Sequence, residues 1–137
     1  MKDINPYLIF GGNCRQAMEF YAKSLGAELQ MMPYSQAPGQ HPPEEQKDKI
    51  MHARLHKGPV VIMASDDHSG APVKPGGNNF WININCESLQ EIEKLFSAVG
   101  EKGKVHSPLQ DMFWGARFGM LTDQFGVNWM FNYELPK

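Results

Sequence analysis

One order of elements is written twice in this chain, on either side of a breaker-rich stretch at its midpoint. Tyr7 to Phe10 is a short apolar run ended by Gly11-Gly12, which reads as a strand. Asn13 then offers an N-cap with Gln16 three residues on, and Met18, Tyr21 and Leu25 keep the spacing of one buried helical stripe. Gly26 is placed as a left-handed stop. Ala27 to Met32 forms a second strand, ended by Pro33. Ile50 to His56 alternates, Gly58-Pro59 turns, and the β-branched run Val60 to Ala64 completes a hairpin. After DDHSGAPVKPGGN the order begins again. Asn79 to Asn85 alternates as a strand, and Ser88 with Glu91 makes a capping box. Leu89, Ile92, Phe96 and Val99 give the next helical stripe, ended by Gly100 or Gly103. Lys104 to His106, Arg117 to Thr122 and Val127 to Tyr133 supply three more strands, with a tight turn near Asp123 to Gly126.

Each half therefore reads strand, capped helix, three strands, as an internal duplication does. One such half has a sheet face that its single helix cannot cover. Two together predict an α+β fold: paired βαβββ modules, a curved mixed sheet, helices outside and a cup inside. Residues 1–137 make a single domain, with module one at about 1–66, a linker at about 67–78 and module two at about 79–137. The segment 33–49, rich in Pro and acids, has no apolar periodicity and is expected to act as a lid or a partner-crossing arm.

A formal charge of −2, with no basic stripe, argues against nucleic acid and anionic lipid as partners. MKDINPYLIFGG has too short an apolar run for a signal or a membrane span, so the expectation is a cytoplasmic protein. Cys14 and Cys86 lie far apart and read as reduced thiols, with a disulfide between them left open by sequence alone. His41, His68 and His106 fall in or beside loops and are expected to be solvated. Glu44-Glu45 and Asp66-Asp67 fall in breaker-rich stretches and are expected to be solubilising.

The segment PYLIFGGNCRQAMEFYAKSLGAEL resembles the opening strand and helix of glyoxalase-type modules, with Phe20-Tyr21 and Leu25-Gly26 as the FY…LG signature. DMFWGARFGMLTDQFGVNWMFNY is similar to the PhnB-like branch of the glyoxalase/bleomycin-resistance/dioxygenase (vicinal oxygen chelate) superfamily. The likeness runs through nearly the whole chain in order. It implies homodimers and, in many members, a divalent metal held at four positions, which by register fall at Asn5, His52, Asn79 and Met130. Of these only His52 is a good ligand. Asn is a poor one, and a thioether suits soft metals. No cofactor is therefore expected, and a tightly held metal is disfavoured. PhnB-like proteins are often labelled as a ubiquinone-biosynthesis methyltransferase, yet Gly11-Gly12 lacks the G-x-G-x-x-G spacing of a nucleotide loop and serves more simply as a tight connection.

On a strand, His52 and His56 share a face but stand roughly 13 Å apart, too far for joint ligation. His52 and Arg54 on the cup face would offer donors to an anionic or carbonyl ligand. Trp81 and Asn83 lie opposite Phe80, Ile82 and Ile84, a mixed face that suits either a pocket or a dimer contact. Trp129, Phe131 and Tyr133 look like core, opposite Asn128, Met130 and Asn132. Phe113 is expected in the core and Trp114 in a pocket wall. Asp111 and Arg117 would either pair or face solvent. The expected pocket lining is Tyr7, His52, Arg54, Trp81, Asn83, Trp114 and Met130. The leading expectation is binding, or metal-independent transformation, of a small molecule. A metal-dependent lyase or dioxygenase-like enzyme using His52 and a drug- or metabolite-sequestering protein are the alternatives. The sequence names neither a substrate nor a reaction.

Overall fold

The computed structural model describes residues 1–36, 47–67, 72–74 and 77–136. They cluster into two compact units, Pro6–Phe80 and Met1–Asn5 with Trp81–Lys137. The first strand, β1 (Asp3–Phe10), and the fifth, β5 (Phe80–Asn85), each give an end to both units.

In the unit Pro6–Phe80, β1 is followed by α1 (Cys14–Leu25), β2 (Glu28–Pro33), a 3-10 turn at Tyr34–Gln36, β3 (Ile50–Lys57) and β4 (Val60–Asp66). The strands lie in the order β2-β3-β4-β1. β2/β3 and β3/β4 are antiparallel, while β4/β1 is parallel. Alternation along each strand sends one row of side chains towards α1 and the next row away from it. Ala53, Leu55 and Ala64, with Leu8, Phe10, Leu29 and Ile62, pack against Cys14 and Met18. The helical stripe thus starts a turn earlier than the pattern of Met18, Tyr21 and Leu25 implied. Cys14 is fully buried, whereas Leu25, in the last turn, is 50% exposed. Gly26 adopts the expected left-handed cap (φ 64°), a conformation that costs an L-residue about 1–2 kcal/mol.

The start of α1 departs from expectation. Asn13 makes no side-chain cap. Instead Asp66, the last residue of β4, is buried and gathers three backbone amides. Gly12 and Cys14 donate to Oδ1 at 3.0 and 2.9 Å, and Ile50 donates to Oδ2 at 2.8 Å. The expected solubilising acid is therefore a tie between the α1 N-terminus, β3 and β4. A helix leaves its first amides without partners, and a buried carboxylate at that end satisfies them.

The other unit repeats the plan with β5, α2 (Leu89–Val99), β6 (Lys104–Asp111), β7 (Ala116–Thr122) and β8 (Asn128–Glu134). Its strand order is β5-β8-β7-β6, with β5/β8 parallel and the other pairs antiparallel. Ile84, Ile92, Leu121 and Phe131 form the core, with Phe96, Leu109, Trp129 and Tyr133 packed against it. Gly119 is needed for this packing, because a Cβ there would meet Phe96 Cε2 at 2.7 Å and Leu109 Cδ2 at 2.9 Å. Half of the capping box forms: Glu91 N–H donates to Ser88 Oγ at 3.1 Å, but the Glu91 carboxylate accepts from Glu87 N–H at 2.9 Å. The Asp123 turn is built as expected, with Asp123 Oδ1 accepting from Phe125 and Val127 N–H and Oδ2 from the Trp129 indole. Those amides, Val127 first, hold its carboxyl below the usual range.

Phe113 is not core. It stands in the β6/β7 turn at 59% exposure, because Met112 and Ala116 close that turn and Gly115 (φ 86°) turns the chain away from the helix. Arg117 pairs with Asp111 at 3.1 Å and reaches Glu93 at 3.7 Å. Cys14 and Cys86 are free and buried. Among the described residues no helix is long and apolar enough to cross a membrane.

Candidate functional site

In each unit the face turned away from its helix carries a cluster of polar side chains. In Pro6–Phe80, register places Arg54 opposite Met63 and Met63 opposite Tyr7, so these three form a row across β3, β4 and β1. His52 lies two residues before Arg54 on the same face. The Tyr7 hydroxyl stands 3.5 Å from His52 Nδ1, and the two rings are tilted at 43° with centroids 6.1 Å apart. Ser65, opposite Ile9, hydrogen-bonds Tyr7 and lowers its pKa, as a hydroxyl donating to the phenolic oxygen does. Burial outweighs that bond and pushes Tyr7 up to about 12. Burial, and secondly the Arg54 charge, hold His52 below its ordinary value.

These states define a direction. At neutral pH the phenol keeps its proton and the imidazole is uncharged. Where the phenolic proton points to His52 Nδ1, the ring's own proton sits on Nε2. In that tautomer His52 presents an N–H donor on the face that carries Arg54. Next along the strand, His56 is paired with Glu28 at 3.2 Å. Arg54, half-buried, has no acid or acceptor partner among the described residues.

In the other unit the corresponding face holds an amide network. Asn83 faces Met130 in register and Asn85 faces Asn132. Asn85 is the hub. Its carboxamide oxygen accepts from Asn83 and Asn132 at 3.2 and 3.3 Å, and its nitrogen donates to Asp3 and Asn5. Asn83 (3% exposed), Trp81 (5%) and Met130 (3%) are buried on this face, although they point away from α2. His106 is exposed, as expected, and it also packs edge-on to Trp81 at 5.8 Å and bonds Thr122 Oγ1 at 2.7 Å. Thr122 in turn donates to Asn128 at 2.8 Å.

Of the seven expected lining residues, Tyr7, His52 and Arg54 come together on one face, and Trp81, Asn83 and Met130 on the other. Trp114 stands apart in the β6/β7 turn at 49% exposure, touching Phe118 edge-on at 5.6 Å. Ser65, Asn85 and His106 were not among those seven. Asn85 had a signal, since it continues the alternation of Trp81 and Asn83. Ser65 and His106 had none, because their partners are distant in sequence. His41, His68, Glu44, Glu45 and residues 37–46 of the expected lid lie outside the described residues.

The four positions that the resemblance matched to the superfamily's metal ligands carry one imidazole, two carboxamides and a thioether. Asn5 is already an acceptor for Asn85, Met130 is in the core-like layer beside Asn83, and His52 Nδ1 is tied to Tyr7. No cluster of three His, Cys, Asp or Glu side chains suited to a metal occurs among the described residues.

Duplicated βαβββ units with polar helix-free faces define a class, and sequence comparison agrees. Residues 3–131 match the Glyoxalase/Bleomycin resistance protein/Dioxygenase superfamily, and the chain belongs to it. Protein YjdN of Escherichia coli (strain K12) is 31% identical over 94% of this chain and 93% of its own length. Protein PA1353 from Pseudomonas aeruginosa is 47% identical, covering 96% of this chain and 97% of its own, with a TM-score of 0.47. A protein from Staphylococcus aureus, 18% identical, shares the fold at a TM-score of 0.68 over 98% of this chain and 96% of its own.

Proposed function

We propose that this protein binds, or transforms without a tightly held metal, a small polar or aromatic molecule on its helix-free faces. The observation that carries this reading is where buried polarity gathers. Among the described residues, the buried polar side chains apart from the structural Asp66 are Asn5 and Asn83, both in the amide network and neither facing a helix. A purely structural face would be apolar or water-exposed, since burying amides costs free energy unless a full set of partners is supplied. A tryptophan among them suits a flat or carbonyl-bearing ligand. The donor set at the metal positions supports metal independence, because a hard divalent ion prefers carboxylates and several imidazoles. Superfamily membership supports vicinal-oxygen-chelate-like function and names no reaction.

The same reading takes the protein to be a cytoplasmic homodimer. Light scattering at micromolar concentration would give two chain masses, and one chain mass would remove the dimer from the account.

The binding claim is tested by NMR titration of a small-fragment library, following the Trp81 indole and Met130 methyl signals. Fragments that shift both support it. A library whose binders all leave these signals unmoved would overturn it. Turnover of a bound compound would then separate transformation from sequestration.

A further inference from the structure

We propose that Arg54, His52 and Tyr7 form a receptor for a carboxylate-bearing small molecule. This rests on the reading that the helix-free face binds small molecules, and it adds the ligand's chemical class. Arg54 has neither acid nor acceptor among the described residues, while the neighbouring imidazole, His56, has its own acid in Glu28. Arg54 is half-buried as a residue and none of its nitrogens is a buried, unsatisfied atom, so its guanidinium is open to an arriving anion.

The contact between Tyr7 and His52 supplies the second element. The Tyr7 hydroxyl stands 3.5 Å from His52 Nδ1, which leaves the ring's Nε2 for a ligand on the same face, two residues from Arg54. A planar fork with a ring nitrogen on the same face suits the two oxygens of a carboxylate. The one permanent positive charge, on Arg54, matches a monoanion better than a phosphate dianion. Met63 lies between Arg54 and Tyr7 in register, giving the ligand's body an adaptable apolar surface. The face therefore reads as donors above a thioether, suited to a flat or aliphatic carboxylate.

Benzoate is the probe, with benzamide as its neutral isostere and inorganic phosphate as the competing anion. Binding is followed by NMR at the His52 ring and the Met63 methyl. Benzoate is expected to shift both signals and to bind at least about tenfold more tightly than benzamide or phosphate, as a charge-assisted pair requires. Arg54→Gln should abolish that preference and Arg54→Lys should retain part of it, each variant first shown to keep a dispersed native spectrum. Tyr7→Phe should weaken benzoate binding by a smaller factor. Equal binding of benzoate and benzamide, tighter binding of phosphate, or an undiminished preference in Arg54→Gln would overturn the carboxylate assignment while leaving small-molecule binding intact. If no probe moves these signals and the fragment library also leaves Trp81 and Met130 unmoved, both readings fall.

Discussion

Replacing Asp66 by asparagine conserves shape and removes the carboxylate that ties three segments together. Asn can keep its oxygen towards Gly12 and Cys14, 3.0 and 2.9 Å away in the native protein, but must then turn an NH2 group towards Ile50 N–H. That leaves a buried donor facing a donor, which costs about 1–3 kcal/mol, and the two remaining bonds weaken from charge-assisted to neutral. Flipping the amide exchanges one loss for two. With Asp66 only 1% exposed, water cannot repair the mismatch. The expected destabilisation is about 2–4 kcal/mol, near the upper end for a single isosteric change. In urea, with a slope of about 2 kcal/mol per molar, the unfolding midpoint should fall by roughly 1–2 M. A midpoint within about 0.3 M of the native protein's, at unchanged slope, would refute the tie.

Three further outcomes follow from the packing and the buried groups. Gly119→Ala should cost about 1–3 kcal/mol by overpacking, seen as a lowered Tm, since its Cβ would meet the Phe96 ring at 2.7 Å; an unchanged Tm contradicts that contact. An NMR titration of His52 should give a midpoint below 6.5, and Arg54→Gln should raise it without reaching 6.5, because burial outweighs the Arg54 charge. The fold favours neutral His52, so its contribution to stability is full above the unfolded value near 6.5 and declines as pH falls through the folded midpoint. Burial, with Asp66 second, pushes the Cys14 thiol up to about 12, and burial, with Glu91 second, pushes Cys86 to about 11. Both should resist Ellman's reagent at pH 8 in the native protein and react fully in denaturant, whereas rapid native labelling would contradict the burial.

The order of elements was legible because period-two and period-3.6 patterns, with glycine stops, survive in a single sequence. Gly26 and the Asp123 turn are local devices and were read correctly. What escaped depends on distance along the chain. Asn13 has the right chemistry for a cap, but Asp66, more than fifty positions away, takes the amides. Phe113 looked like core by hydrophobicity alone, which cannot show that a tight turn carries it outward. The same division holds at the candidate site. Alternation assigned His52, Arg54, Trp81 and Asn83 to faces away from the helices. It could not show the Ser65–Tyr7–His52 chain or the hub at Asn85, because these join strands by register.

The central claim is that this protein uses its own donors rather than a resident metal. Elemental mass spectrometry of untagged protein, purified without chelator, tests it most directly. The account predicts folded protein with zinc, nickel, manganese and iron all far below one per chain. Near-stoichiometric metal that His52→Ala removes would contradict the account and make a metal-dependent enzyme the better reading.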